Sequence, residues 1–221
     1  MPFTTQQFLE VFARYNETVF PVQVLLLVAG LIAIRLAANG NSASSKVVVV
    51  VLSILWLWMG VIYHWLFFSE INSLAIMFGS FFVLQSLFLF YAGVVRTDLS
   101  FRRRPGLRSL LGTVFIVYAL LFYPIIGISF GHSYPYSPTF GLPCPTTIFT
   151  FGLLLRSGGS VPLYILPIPV LWSLLGSSAA FSMGMWEDVG LLIAGVIGGW
   201  LLIGSHVRPS HRTSGLRLKE N

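Results

Sequence analysis

Seven apolar runs follow one another between residues 18 and 205, separated by short breaks rich in Gly, Pro, Asn or Arg. A helix needs about 20 mainly apolar residues to cross the hydrocarbon core of a bilayer. The runs 18–36, 46–68, 71–95, 109–130, 161–183 and 189–205 come close to or exceed that length. The run 146–155 is shorter because Arg156 ends it, and it is expected to be tilted or partly re-entrant. Charged residues are only 9% of the 221, against about 25% in an ordinary soluble domain. So few charges cannot wet the surface of a soluble fold. Soluble enzymes, nucleic-acid binders and disordered chains are excluded, and the expected fold class is an all-α, polytopic transmembrane helix bundle.

The placement of Lys and Arg sets the expected orientation. With the N-terminus outside, Arg35, Lys46, the 96–108 loop, Arg156 and the tail 206–221 all fall on the cytoplasmic side. The loops left outside carry no Lys or Arg, and Arg14 precedes the first run. Cytoplasmic loops carry the excess of basic residues, so the charge pattern selects seven spans, N-out and C-in. A six-span chain would move Arg156 or the first loop to the wrong side. The net charge of +6 is therefore a topology signal. Residues 1–17 lack the basic region and cleavage site of a signal peptide. They read as an amphipathic interfacial helix, with Phe8, Val11, Phe12 and Tyr15 on one face and Gln6, Glu10, Arg14 and Glu17 on the other. Thr4 or Thr5 suits its N-cap. The chain thus divides into this helix, a transmembrane domain over 18–205 and a basic cytoplasmic tail over 206–221.

Apart from Asp98, Glu220 and the two tail histidines, every acid, His and Cys falls in the outer half. This gathers His64, Glu70, His132, Tyr134, Cys144, Glu187 and Asp188 into a candidate outer-face binding or gating site. Imidazoles, carboxylates and a thiol together suit a divalent cation, a proton relay or a cationic solute; the plainer alternative is a set of acidic loops that meet water. No HxxxH or HExxH spacing occurs in the spans, so a divalent metal at His64 and His132 rests on their proximity alone. Glu187 and Asp188 form either a paired-carboxylate site or, through Asp188, the N-cap of the last span. Tyr134 and Tyr136, with Trp65 and Trp186, make either an aromatic cage for an organic cation or an interfacial belt.

Other features bear on packing and on what the chain is not. Cys144 is the single cysteine, so no internal disulfide or CxxC pair exists. Pro162, Pro167 and Pro169 predict a kinked or locally unwound sixth span. Gly195 and Gly199 stand in small-xxx-small register, suited to close helix approach within the bundle or to a second copy or complex partner. Neither Lys46 nor Lys219 lies where a retinal Schiff base would need it. Walker, GxGxxG and GxSxG patterns are missing; only two of the four histidines lie outside the tail, too few for a three-histidine zinc hydrolase, and they form no mid-membrane pair for a haem.

The run His64-Trp65-Leu66-Phe67-Phe68, the loop from Gly131-His132-Ser133-Tyr134-Pro135 through Cys144-Pro145-Thr146-Thr147, and Leu166-Pro167-Ile168-Pro169-Val170-Leu171-Trp172 with Glu187-Asp188 resemble a family of bacterial multi-span membrane proteins of unknown function. The resemblance covers nearly the full chain. It implies a bacterial inner-membrane location and transfers no catalytic residue. The residues themselves lead to a small-solute or ion transporter or channel. A membrane-embedded metal- or redox-dependent enzyme or accessory protein, and a non-catalytic subunit of a membrane complex, are the alternatives.

Overall fold

The computed structural model describes residues 2–101 and 105–207, with side chains to residue 205. Arg102 to Arg104 and the basic tail from residue 208 lie outside the described residues. Among the described residues the architecture is all-helical: α1 (Thr5–Val19), α2 (Val22–Asn39), α3 (Ser42–Glu70), α4 (Ala75–Val95), α5 (Leu107–Ser129), α6 (Pro143–Leu155), α7 (Leu163–Ser182) and α8 (Trp186–Ser205). Six of them, α2 to α5, α7 and α8, are long and apolar enough to cross a membrane by length and composition. The remaining expected run is α6, an apolar helix of 13 residues.

Local chemistry sets several helix boundaries. Thr4 accepts a hydrogen bond from the Gln7 backbone while the Gln7 side chain accepts from the Thr4 backbone, a reciprocal cap that starts α1. Gly40, in the left-handed region at φ 69°, ends α2. Asn41 then caps α3 by accepting from the Ser44 backbone at 2.7 Å. The outward faces carry Leu25, Leu31, Leu87, Leu121 and Trp200, all exposed and apolar, as a lipid-facing surface requires.

Helix α6 is the axis of the bundle. Twelve of its 13 residues are buried, Cys144 being the exception. At 1.5 Å per residue it spans about 20 Å, short of the hydrocarbon core's roughly 30 Å. The segment before it, with Gly141 and Leu142 buried, runs irregularly into the bundle interior. Irregular backbone away from water needs partners for its polar groups, and protein supplies them at several positions here. Pro143 and Pro145 have no N–H to satisfy, Thr146 N bonds Leu142 O, and Gly141 N bonds the Thr146 hydroxyl at 3.0 Å. At the other end, Arg108 donates to the Ser157 hydroxyl at 3.2 Å, and Gly158 N donates to Ser100 O at 2.7 Å.

Glycine lets α5 meet α6 backbone to backbone. A Cβ on Gly112 would stand 2.6 Å from the Gly152 carbonyl oxygen, and one on Gly152 would stand 2.8 Å from that of Gly112. The Gly195 and Gly199 face is likewise filled from within the chain: a Cβ on Gly195 would overlap Ser173, and one on Gly199 would lie 3.0 Å from Val170. A contact to a second copy through these two glycines therefore finds its surface already covered by α7. Of the two expected effects of the sixth span's prolines, the structure has local unwinding at its start and not a kink within the regular helix. Pro162 precedes a short turn at Leu163–Ile165, and Pro167 occupies the first position of the regular helix, where a missing N–H costs nothing. Gln85 donates to the Ile165 carbonyl at 2.9 Å and satisfies the turn.

Gly152→Leu is expected to lower stability in detergent by about 1–3 kcal/mol, the usual cost of overpacking. Leu25→Val on the lipid face should stay within about 0.5 kcal/mol. Denaturant titration of the two variants beside the parent checks both values.

Candidate functional site

A π-helical stretch at Tyr118–Phe122 in α5 prepares the site. In a regular α-helix, residues five apart point about 140° away from each other. The wider π turn brings Tyr118 and Tyr123 to one side, with ring centroids 6.5 Å apart. Both reach the start of α8. The Tyr118 hydroxyl donates to the Glu187 backbone carbonyl at 2.7 Å, and the Tyr123 hydroxyl donates to Asp188 Oδ1 at 2.8 Å. The ring of Tyr118 lies where a side chain on Gly190 would project, so that glycine makes the approach possible.

Asp188 is buried, and the groups bearing on its carboxylate are Tyr123, Cys144 and Glu187. The Cys144 thiol, at the second position of α6, faces Asp188 and Tyr123. The expectation that Asp188 caps α8 is corrected: its side chain makes no capping bond, because the carboxylate turns inward to better donors. Glu187 is fully buried and faces a different partner. Its Oε1 accepts from His132 Nδ1 at 3.0 Å, while Oε2 is buried without a partner. Two neighbouring carboxylates thus have separate donor sets, one aromatic and thiol, the other imidazole.

The other expected residues fall elsewhere. His64 lies in the π-helical stretch Met59–Phe67, fully buried rather than interfacial. Its Nδ1 donates to the Met59 carbonyl at 2.8 Å, which fixes Nε2 as an acceptor, and that atom has no partner. Its ring sits 4.5 Å from Phe82 and 5.3 Å from Trp172, and it bonds none of the carboxylates. Glu70 instead forms a two-pronged ion pair with Arg14 of α1, and its charge and hydrogen bond hold the Arg14 guanidinium above its ordinary pKa. Tyr134 is exposed and borders a separate cavity described below. Among the described residues no three His, Cys, Asp or Glu side chains converge as a metal site would need.

An apolar cavity of about 260 Å³ lies beneath α1. Phe8 and Phe12 of α1 line it from one side, Tyr63 and Phe68 of α3 from another, and Trp172 from α7, with Cys144 and Asp188 among its lining residues. The roof is well held. Tyr15 accepts from Trp58 Nε1 at 2.7 Å, and burial pushes its phenol up to about 12, so it stays neutral. The Trp172 indole N–H is buried and without a partner.

Three contributors are not among the residues that the sequence pattern singles out for the site. Tyr123 is one more aromatic of an apolar run. Trp172 stands in the Leu166–Trp172 motif with nothing to mark it as a cavity wall. Asn16 is fully buried and pins the 134–139 loop, donating to Pro135 O at 2.6 Å and Ser137 O at 2.9 Å and accepting from the Thr139 hydroxyl at 2.8 Å. A signal for Asn16 existed: it follows Phe12 by four residues and so shares the apolar face of α1.

The fold and composition define a multi-pass helical membrane protein. The chain belongs to the family of unknown function DUF6064, whose profile matches residues 5–213. No curated protein and no solved structure matches it.

Asn16→Ala removes the partner of two loop carbonyls and a hydroxyl, and is expected to cost about 1–3 kcal/mol. Amide hydrogen exchange in residues 134–141 should accelerate with it, while exchange within α6 stays slow.

Proposed function

We propose that the protein is a transporter of small amphiphilic cations, which bind in the cavity beneath α1 with the cationic group against Asp188. The observation that carries this reading is a buried carboxylate on the wall of an aromatic-lined cavity, with neutral hydrogen-bond donors and a second carboxylate as its polar neighbours. A buried charge without a counter-charge is unfavourable, and a cation brought by the solute would complete it. The faces of Phe8, Phe12, Tyr63 and Phe68 suit the apolar body and attract positive charge. This is narrower than a general polar vestibule, because most of the lining is apolar.

The proposed topology is seven crossings, N-out and C-in, with α6 and its irregular approach as one crossing. Support comes from the ends of α6, which lie beside Asp188 at the α1 end and beside Arg108 at the other. Arg35 and Lys46 lie in the helix ends on either side of Gly40, and Arg96 and Arg156 at the C-terminal ends of α4 and α6, a grouping that suits the positive-inside rule. A bacterial inner membrane is the location that the family resemblance points to. The cavity would then open from the outer side, with α1 as its cover.

Thermal unfolding of the detergent-purified protein with aryl-alkyl ammonium ions and their neutral carbon isosteres tests this. A cation at 100 times its Kd should stabilise the parent by about 2.7 kcal/mol, and the isostere should do much less. Asp188→Asn retains the size of the side chain and an acceptor for Tyr123, and should abolish the difference. Equal stabilisation by both compounds, or an undiminished cation effect in Asp188→Asn, would overturn the proposal. Uptake of the stabilising cation into protein-containing vesicles, blocked by Asp188→Asn, tests the transport step.

A further inference from the structure

A second cavity, about 440 Å³, lies on the flank between α2 and α5. Its position differs from that of the cavity under α1. Phe20, Val24 and Ile128 border it and are exposed apolar residues of the bundle's outer face, so it opens towards the hydrocarbon of the bilayer. Its inner wall is Ala119, Leu120 and Tyr123 of α5. The walls are mostly apolar, with a polar side formed by Gln23, Tyr134, Ser137 and Thr139.

Gln23 determines what that side asks for. Its side chain is only 7% exposed. The Nε2 amide donates to the Asn16 carbonyl at 2.9 Å, which fixes Oε1 as the free end. That oxygen is buried and has no partner. A buried acceptor left unmatched is unfavourable, and a carboxamide oxygen has no proton of its own to offer. The Thr139 hydroxyl is already committed to Asn16 Oδ1. What fits is an alkyl chain, which matches the walls, ending in a group that donates a hydrogen bond.

We infer that this flank cavity is a binding site for a bilayer lipid of the hydroxyl-bearing, single-tail kind, its alkyl chain along Val24, Leu27 and Leu120 and its hydroxyl donating to Gln23 Oε1. The lipid enters sideways from the membrane, past Val24 and Ile128. Tyr123 is a wall of this site while its hydroxyl donates to Asp188 of the other cavity, so the lipid packs against the residue that orients that carboxylate. The inference stands on Gln23 and its surroundings, and is independent of the cation reading.

Photolabelling in phosphatidylcholine vesicles provides the test. The full chain is reconstituted with a diazirine-tailed monoacylglycerol or with the same probe methylated at both hydroxyls, irradiated, and mapped by peptide mass spectrometry. The hydroxyl probe should label residues 20–27 and 119–128 above the rest of the lipid-facing surface. It should exceed the methylated probe there by about fivefold, the factor that one net hydrogen bond supplies. Gln23→Leu should erase the preference between probes, and Ala119→Phe, which fills the cavity, should suppress labelling by both. Leu27→Trp serves the same purpose if Ala119→Phe does not reconstitute. Labelling spread evenly over the lipid-facing helices, equal labelling by the two probes, or a preference that survives Gln23→Leu would each overturn the inference.

Discussion

The bundle is organised by the enclosure of α6. A helix of 13 residues cannot reach across a bilayer, and its ends would leave polar backbone groups in hydrocarbon. The chain meets that constraint by surrounding the helix with longer ones and by choosing its ends carefully. Two prolines reduce the number of N–H groups at its start, and a threonine hydroxyl receives the N–H of Gly141. Trp56 donates to Thr150 at 3.1 Å midway along, and Arg108 attends the far end. The Gly112 and Gly152 contact then brings α5 close enough for its aromatic residues to reach the start of α8.

The candidate site follows from that packing. Once α5 lies on α6, the π turn at Tyr118–Phe122 decides which residues face α8, and it selects two tyrosines rather than one. Their hydroxyls meet Glu187 and Asp188, while the start of α6 delivers Cys144 to the same place. Helix α1 covers the result with its phenylalanines, anchored by Asn16 and Tyr15. The outcome is a cavity whose walls are almost wholly apolar and whose polar groups are few and held in place, the usual form of a small-molecule site.

Much of the architecture was legible in the residues. The long apolar runs, the amphipathic N-terminal helix with its Thr4 cap, and the short run ending at Arg156 all correspond to helices. The same pattern could not show that the short helix lies at the centre, because burial by protein and burial by lipid select the same apolar residues. The concentration of acids expected on the outer side points to Glu187, Asp188, His132 and Cys144, which the fold brings to one end. The same pattern groups Glu70 and His64 with them, whereas Glu70 pairs with Arg14 and His64 bonds Met59: depth along a helix says nothing about azimuth, and π turns shift azimuth without any sequence mark. Tyr123 was invisible for the same reason, since its role depends on a register change five residues long.

Cys144 offers the most direct examination of the central claim, that the cavity beneath α1 is where a solute meets Asp188. It is the chain's single cysteine, and it lines that cavity beside the carboxylate. The measurement is the rate at which methyl methanethiosulfonate modifies the thiol, with and without a saturating aryl-alkyl ammonium ion. A site at Asp188 predicts that the cation protects the thiol, and that protein already carrying the methyl disulfide at Cys144, formed with release of methanesulfinate, stays folded and no longer binds the cation. Unchanged modification rates, together with full cation binding by the modified protein, would contradict it.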